Sequence, residues 1–177
     1  EIVPNMEMKV DSPDPQNIPG ELLVRGANVF LGYYKNPEAT AEVLDADGWL
    51  HTGDMGVIDA EGSLFLRGRS KCMILGPSGQ NIYPEEIEAA LETRPYFMET
   101  LVIEEDGGLT ALVYPDFPQG AKDGMSQEAF IKHIESTLNE VNKDLPNYAR
   151  LRKIEVMSEA FERTPKKSIK RYLYQRN

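Results

Sequence analysis

The chain is poor in cysteine, in positive charge and in long apolar runs, and each shortage excludes a class of protein. Cys72 is the only cysteine, so no internal disulfide framework can hold the fold together, and the composition fits a reducing compartment. Beside Met73 it reads as a small buried apolar residue. Nineteen Lys and Arg stand against 29 Asp and Glu, a formal net charge of −10, which argues against a general nucleic-acid binder. No run of 18 apolar residues occurs, so nothing reads as a transmembrane segment. Repeats, low-complexity segments and metal-ligand clusters are also missing. The chain opens at Glu1 without Met or a signal-peptide pattern and reads as a piece of a longer protein.

What is present suffices for a core. The 177 residues are 41% hydrophobic and 27% charged, ordinary for one globular domain or two small ones. Composition shifts near Arg69: residues 1–68 carry 12 acidic and 4 basic side chains, residues 69–177 carry 17 and 15. The shift marks a domain boundary near Arg69.

In the first part, four prolines in residues 1–19 and a weak alternation through Ile2, Val3, Met6, Met8 and Val10 predict an edge strand and a loop. Gly20–Gly26 is strand-like, with Val29 to Leu31 extending it past a kink. Asn36 as cap and Pro37 at the first helical position open a helix through Leu44. Val57-Ile58 and Ser63–Arg67 flank Asp59-Ala-Glu-Gly62, a hairpin signal. This part predicts a small antiparallel β unit with one helix.

In the second part, Gly76-Pro77-Ser78-Gly79 has strong turn chemistry. Pro84, Glu85 and Glu86 suit the first turn of a helix through Arg94. Phe97–Ile103 and Leu109–Tyr114 read as strands around an acidic Gly-Gly tip. Residues 116–125 read as a loop, leading to Ser126 as cap of one long helix with Phe130, Ile131, Ile134, Leu138 and Val141 along one side. His133 sits beside that stripe as a surface residue. Leu151–Val156 is a further strand, and Ser168 caps a short last helix with Ile169, Tyr172 and Leu173 on one face. The order implies an α+β class, a small sheet with helices packed on it. Residues 150–177 hold nine Lys or Arg against three acids; a bound anion and a solvated basic tail both explain such a cluster.

Three groups of motifs go further. Gly68-Arg69-x-Lys71, then Gly79-Gln-Asn-Ile-Tyr-Pro-Glu-Glu-Ile-Glu88, resembles the hinge and following loop of the adenylate-forming superfamily, which holds acyl-CoA synthetases, peptide-synthetase adenylation domains and luciferases. Gly20-Glu-Leu-x-Val-Arg-Gly26, Gly32-Tyr-Tyr and Pro37-Glu-x-Thr40 resemble its late β subdomain, and Trp49-x-x-Thr-Gly-Asp54 resembles the nucleotide-contacting segment that follows it. Arg163-Thr-Pro-Lys-Lys-Ser-Ile-Lys-Arg171 resembles its terminal motif.

The resemblance implies that Asp54 accepts hydrogen bonds from the ribose hydroxyls of ATP and AMP and that Arg69 reaches the same ribose. It implies that residues 1–68 end the large adenylation domain, that 69–71 are a hinge turning about Lys71, and that 72–177 are a mobile lid. It implies that Ser78, Gly79 and Gln80 line the CoA channel. Its terminal lysine, just before Ile-x-Arg, stabilises charge on the phosphates; here that position holds Ser168. If residues 164–168 are extended, Lys166 shares a face with Ser168, which favours Lys166 over the rivals Lys167 and Lys170.

The family's phosphate loop, its Tyr-Gly-x-Thr-Glu segment for adenine and magnesium, and its acyl pocket are not in these residues. The implied parent is a cytoplasmic ATP-dependent ligase, peripheral membrane association left open. It would join a fatty acid to AMP, then pass the acyl group to CoA, with ATP and Mg bound mainly by a missing N-terminal domain. The loop through Gly79 to Glu88 most resembles bacterial long-chain fatty acid–CoA ligases. Two other readings stay open: a non-catalytic module binding CoA or a carrier protein, and an adenylation domain that loads a carrier protein.

Overall fold

In the computed structural model, which describes residues 4–176, the chain divides by its contacts into two compact units, Glu1–Cys72 and Met73–Asn177. The division follows directly on a short 3₁₀ turn, Ser70–Cys72, that carries the exposed Lys71.

The first unit is a four-stranded antiparallel sheet in the order β1 (Met6–Asp11), β2 (Gly20–Gly26), β3 (Leu50–Ile58), β4 (Leu64–Arg69). The proline-rich N-terminal segment does supply the edge strand; Ile2 and Val3 lie outside the described residues. The Asp59–Gly62 turn closes the β3–β4 hairpin as expected, with the Ser63 amide donating to the Asp59 carboxylate at 2.7 Å and Gly62 left-handed at φ +81°. The interior is thin: Val10, Leu22, Leu23 and Val57 are its buried apolar residues, whereas Leu31 is 99% and Tyr34 88% exposed. Two cations stand over the Trp49 ring, Lys9 at 4.4 Å and Arg25 at 4.6 Å from its centre, which adds a cation–π contribution where the interior is small.

Two expectations fail here. Helix α1 runs only over Pro37–Ala41. Asn36 caps it, its side chain accepting from the Ala39 amide at 3.0 Å. It stops short of Leu44 because Val43 accepts from the His51 amide at 2.7 Å and Leu44 bridges Leu50, so sheet pairing claims those residues. Val29–Leu31 adds no strand; the Val29 amide turns back to the Gly26 carbonyl at 3.1 Å.

The second unit opens with a two-stranded ribbon, β5 (Ile74–Leu75) and β6 (Asn81–Ile82), and then α2 (Pro84–Glu92). Its main sheet has the order β7 (Phe97–Glu105), β8 (Gly108–Pro115), β9 (Leu151–Val156), antiparallel across the first pair and parallel across the second. A parallel pair needs a crossover, supplied by α3 (Phe117–Lys122), α4 (Gln127–Ser136) and α5 (Leu138–Asp144). The α+β class and its sequence of an antiparallel sheet followed by a helix-covered sheet are as expected.

Residues 116–125 are not a plain loop. Asp116 accepts from the Gln119 amide at 3.0 Å, and α3 packs so closely that a Cβ on Gly120 would stand 2.7 Å from the Phe130 ring. The expected single long helix is two, since Thr137 interrupts it, its hydroxyl donating to the Ile134 carbonyl at 2.7 Å. Phe130, Ile134 and Val141 are buried, Ile131 and Leu138 half-buried, and exposed His133 meets the Tyr96 ring edge-on.

Strand periodicity sorts the core into two faces. Val102, Ala111 and Val113 join Ile87, Leu91, Phe130, Ile134, Val141 and Ile154 beneath the helices. Leu101, Ile103 and Leu112 point the other way, where Phe161, Ile169 and Tyr174 cover them. The C-terminal segment is thus the second layer of this sheet. Its expected last helix is only a 3₁₀ turn, Arg171–Leu173, entered from Lys170 rather than capped by Ser168, with Tyr172 and Leu173 exposed. Ser168 is engaged elsewhere, its carbonyl accepting from the Thr164 amide at 2.8 Å.

Candidate functional site

In the first unit, Thr52-Gly53-Asp54 stands out of its sheet. Glu21 pairs with Met55 and Leu23 with His51, so three residues of β3 lie opposite the single Leu22. Across the other ladder, Asp54 pairs with Arg69, Met55 with Gly68 and Gly56 with Leu66, leaving Arg67 as one extra residue on β4. Such bulges re-aim side chains and collect beside active sites. Here they set Asp54 opposite Arg69, whose guanidinium donates to Asp54 Oδ1 at 2.5 Å.

Glu21 supports the bulge. One of its oxygens accepts from the Gly53 amide at 2.9 Å and the other meets His51 Nδ1 at 2.9 Å. Thr52 Oγ1 donates to the Leu22 carbonyl at 2.8 Å and accepts from the Asp54 amide at 3.1 Å. Gly53 takes φ +73°, and Arg69 lies over it, its Nη2 3.5 Å from where a Cβ would be. Arg69 binds one carboxylate oxygen of the half-buried Asp54, so the other can accept from hydroxyl groups of a ligand. The sequence named Asp54 and Arg69, which the structure places opposite one another, and did not point to Glu21 or His51. Glu21 stood inside the quoted Gly20–Gly26 string, but nothing local showed that its carboxylate would reach across to β3.

In the second unit, the lysine-bearing motif is not extended. Arg163 and Ile169 bridge, the Thr164 amide donates to Ser168 O and the Lys167 amide to Thr164 O, both at 2.8 Å. Pro165-Lys166-Lys167 is therefore a three-residue hairpin loop, with Lys167 at φ +66°, the left-handed place where such loops usually carry glycine. This removes the alternation argument that put Lys166 on the face of Ser168. Lys166 and Lys167 both sit exposed on the turn. Lys170 does not join them; it pairs with Glu162 at 3.0 Å.

Two ion pairs fasten this segment, one to the sheet and one to α2. Glu99 on β7 accepts from the Phe161 amide at 3.0 Å and pairs with Arg163 at 3.0 Å, and Arg163 Nη1 donates to the Lys167 carbonyl at 2.6 Å. Beyond the turn, Arg171 pairs with Glu88 at 2.8 Å and donates to the Val102 carbonyl. Burial pushes the Glu88 carboxyl up, against the opposing pull of Arg171. Glu88 closes the Pro-Glu-Glu-Ile-Glu string, so two of the quoted motifs meet at this pair.

The ribbon loop Gly76–Gln80 is closed by the Gly76 amide donating to the Gln80 carbonyl at 2.8 Å, with Gly79 left-handed at φ +81°. Ser78 and Gln80 line a groove of about 280 Å³ whose other wall includes Tyr148 and Arg150. Gly79 is exposed at the tip and is not among the lining residues. Tyr148 and Arg150 are remote in sequence from the loop and were not singled out. Among the described residues no group of three or more His, Cys, Asp or Glu could hold a metal ion, and no helix is long and apolar enough to cross a membrane.

Residues 73–177 match the AMP-binding enzyme C-terminal domain. The chain is similar to 4-coumarate–CoA ligase 1 of Arabidopsis thaliana, 35% identical over 96% of this chain and 30% of that protein. It is also similar to 4-coumarate–CoA ligase 2 of rice, 34% identical over 86% of this chain and 26% of that protein. The chain thus spans about a third or less of the length of these relatives. Among solved structures it resembles the adenylation domain of a carboxylate reductase from Mycobacterium chelonae (TM-score 0.81, 26% identity, 97% of this chain and 29% of that one). It also resembles o-succinylbenzoate–CoA synthetase from Bacillus subtilis with its acyl-adenylate intermediate (TM-score 0.76, 25% identity, 97% and 34%).

Proposed function

Because this chain belongs to the AMP-binding enzymes through their C-terminal domain, we propose that it is the C-terminal part of an ATP-dependent acid–CoA ligase. The parent joins a carboxylate to the α-phosphate of ATP, releasing pyrophosphate, then passes the acyl group from the adenylate to the CoA thiol. The observation that carries this reading is Asp54 raised on a bulge with Arg69 paired opposite. Such a carboxylate accepts from two neighbouring hydroxyls of a ribose.

The turn that bears Lys166 and Lys167 supplies positive charge for the phosphates during the first step. Both lysines are candidates, and Lys170, tied to Glu162, is the weaker one. Lys71, just ahead of the division between the units, is the residue about which the second unit reorients between half-reactions. The groove beside Ser78 and Gln80 takes the nucleotide end of CoA: Tyr148 offers a ring face for a base and Arg150 a cation for phosphate. ATP and CoA are the implied small molecules. Magnesium and the acid are held by the rest of the parent, its N-terminal domain. The acid is a long-chain fatty acid on the strength of the Gly79–Glu88 string, while the relatives' names also put aromatic acids in the class to be tested.

The test is acid-dependent exchange of pyrophosphate into ATP by the full-length protein, with fatty acids and 4-coumarate in parallel. Exchange is expected with one class, and Asp54→Ala is expected to lower it about ten- to a hundredfold, the worth of hydrogen bonds to a charged group. No exchange with any carboxylic acid overturns the reading. Residues 1–177 alone are expected to remain at background.

A further inference from the structure

The lysine turn is exposed, short and strained at Lys167, yet its carbonyl end is held. Glu99 sits within the β7–β8 ladder, opposite Tyr114. Both of its oxygens are used on the segment around the turn: one takes the Phe161 amide before it, the other takes Arg163. Arg163 then reaches Lys167 O with its other terminal nitrogen at 2.6 Å. Rigid sheet, carboxylate, guanidinium and turn form one continuous connection.

We infer that Arg163, held by Glu99, is a positioning residue that fixes the direction in which Lys166 and Lys167 project. The inference rests on the ligase reading above and goes beyond it. A cation that meets charge developing on a phosphate must be in place before the charge appears, and a displacement of about 1 Å can cost about 10²-fold. The turn's own backbone bonds close the loop but supply no tie to the rigid sheet. The guanidinium provides it by spanning two acceptors at once, a carboxylate and a carbonyl. An ammonium on a flexible stem is a poor substitute because it lacks the planar fork.

The experiment has two arms. In residues 1–177, ¹⁵N relaxation of the Lys167 and Ser168 amides reads the order of the turn. Wild type is expected near the rigid value of about 0.85, and Arg163→Lys below about 0.6, with amides of β7 and β8 unchanged. Glu99→Gln, which keeps an acceptor for the Phe161 amide, is expected to loosen the turn in the same direction and guards against misfolding of the first variant. In the full-length protein, Arg163→Lys is expected to lower kcat of adenylation about 10²-fold with KM for ATP within about twofold, because the substrate-binding contacts stay intact. Wild-type order in Arg163→Lys overturns the inference. So does a loosened turn with unchanged kcat while Lys166→Ala or Lys167→Ala slows the step. If neither alanine variant slows adenylation, the ligase role of the turn itself fails, a separate result.

Discussion

Replacing Lys167 by glycine is expected to make the second unit more stable while removing a candidate cation. Lys167 holds φ +66°, where a side chain costs about 1–2 kcal/mol. Glycine removes that cost but has more freedom to lose on folding, about 0.5–1 kcal/mol. The net is a gain of about 0.5–1 kcal/mol. The backbone bonds of the turn, including Arg163 to Lys167 O, survive the change. The only tryptophan, Trp49, lies in the first unit, so its fluorescence follows that unit alone. Amide exchange at Leu112 and Val113, fully buried in β8, reads the second. Lys167→Gly is expected to slow their exchange about two- to fivefold if they exchange by opening of the whole unit. Lys167→Ala keeps the Cβ and should change little; Lys166→Gly, where φ is not positive, should speed exchange. If alanine at 167 protects as well as glycine, or glycine accelerates exchange, the strain argument is wrong.

Arg171→Met should cost the second unit about 3 kcal/mol by leaving the largely buried Glu88 charge unpaired; if the double variant with Glu88→Leu costs as much again, the pair is not coupled. Glu155 is held down to about 2 by Arg176 first and Lys153 second. Its contribution is therefore complete above the usual carboxylate value and lost as pH falls from there towards about 2. In Arg176→Gln its carbon-detected titration midpoint should move up, and a midpoint that stays put refutes the pairing. Gly53→Ala, forced to φ +73°, should destabilise the first unit by about 1 kcal/mol in denaturation followed at Trp49, and an unchanged midpoint would show that the bulge relaxes.

Elements marked by local chemistry were legible in the sequence: the Asp59–Gly62 hairpin, the Pro84-Glu-Glu start of α2, the Asn36 cap. What failed depended on partners far along the chain. Val43 and Leu44 left their helix for β3, and residues 116–125 became helical because Asp116 caps them and Gly120 fits against Phe130. The sites divide the same way. Asp54, Arg69 and the lysines were visible as motif residues, but the three-residue loop was misread as extended because two lysines hid a glycine-type position. Glu21, Glu99, Tyr148 and Arg150 act across sheet or groove and leave no local signal.

The parallel pairing of β8 with β9 also governs the order of events during folding. The β7–β8 hairpin closes over a two-residue turn, whereas Leu109 must find Leu151, and long-range pairing is slow because loop closure comes first. Phe161, Ile169 and Tyr174, which cover the sheet's second face, lie beyond that late strand, as does the lysine turn. Synthesis from the N-terminus therefore leaves Leu101, Ile103 and Leu112 uncovered until Phe161, Ile169 and Tyr174 have emerged, and the turn's cations take their places only after β9 has formed. Pulse-labelled exchange should show the Leu101–Leu112 pairing protected before the Ile154 amide; simultaneous protection would contradict this order.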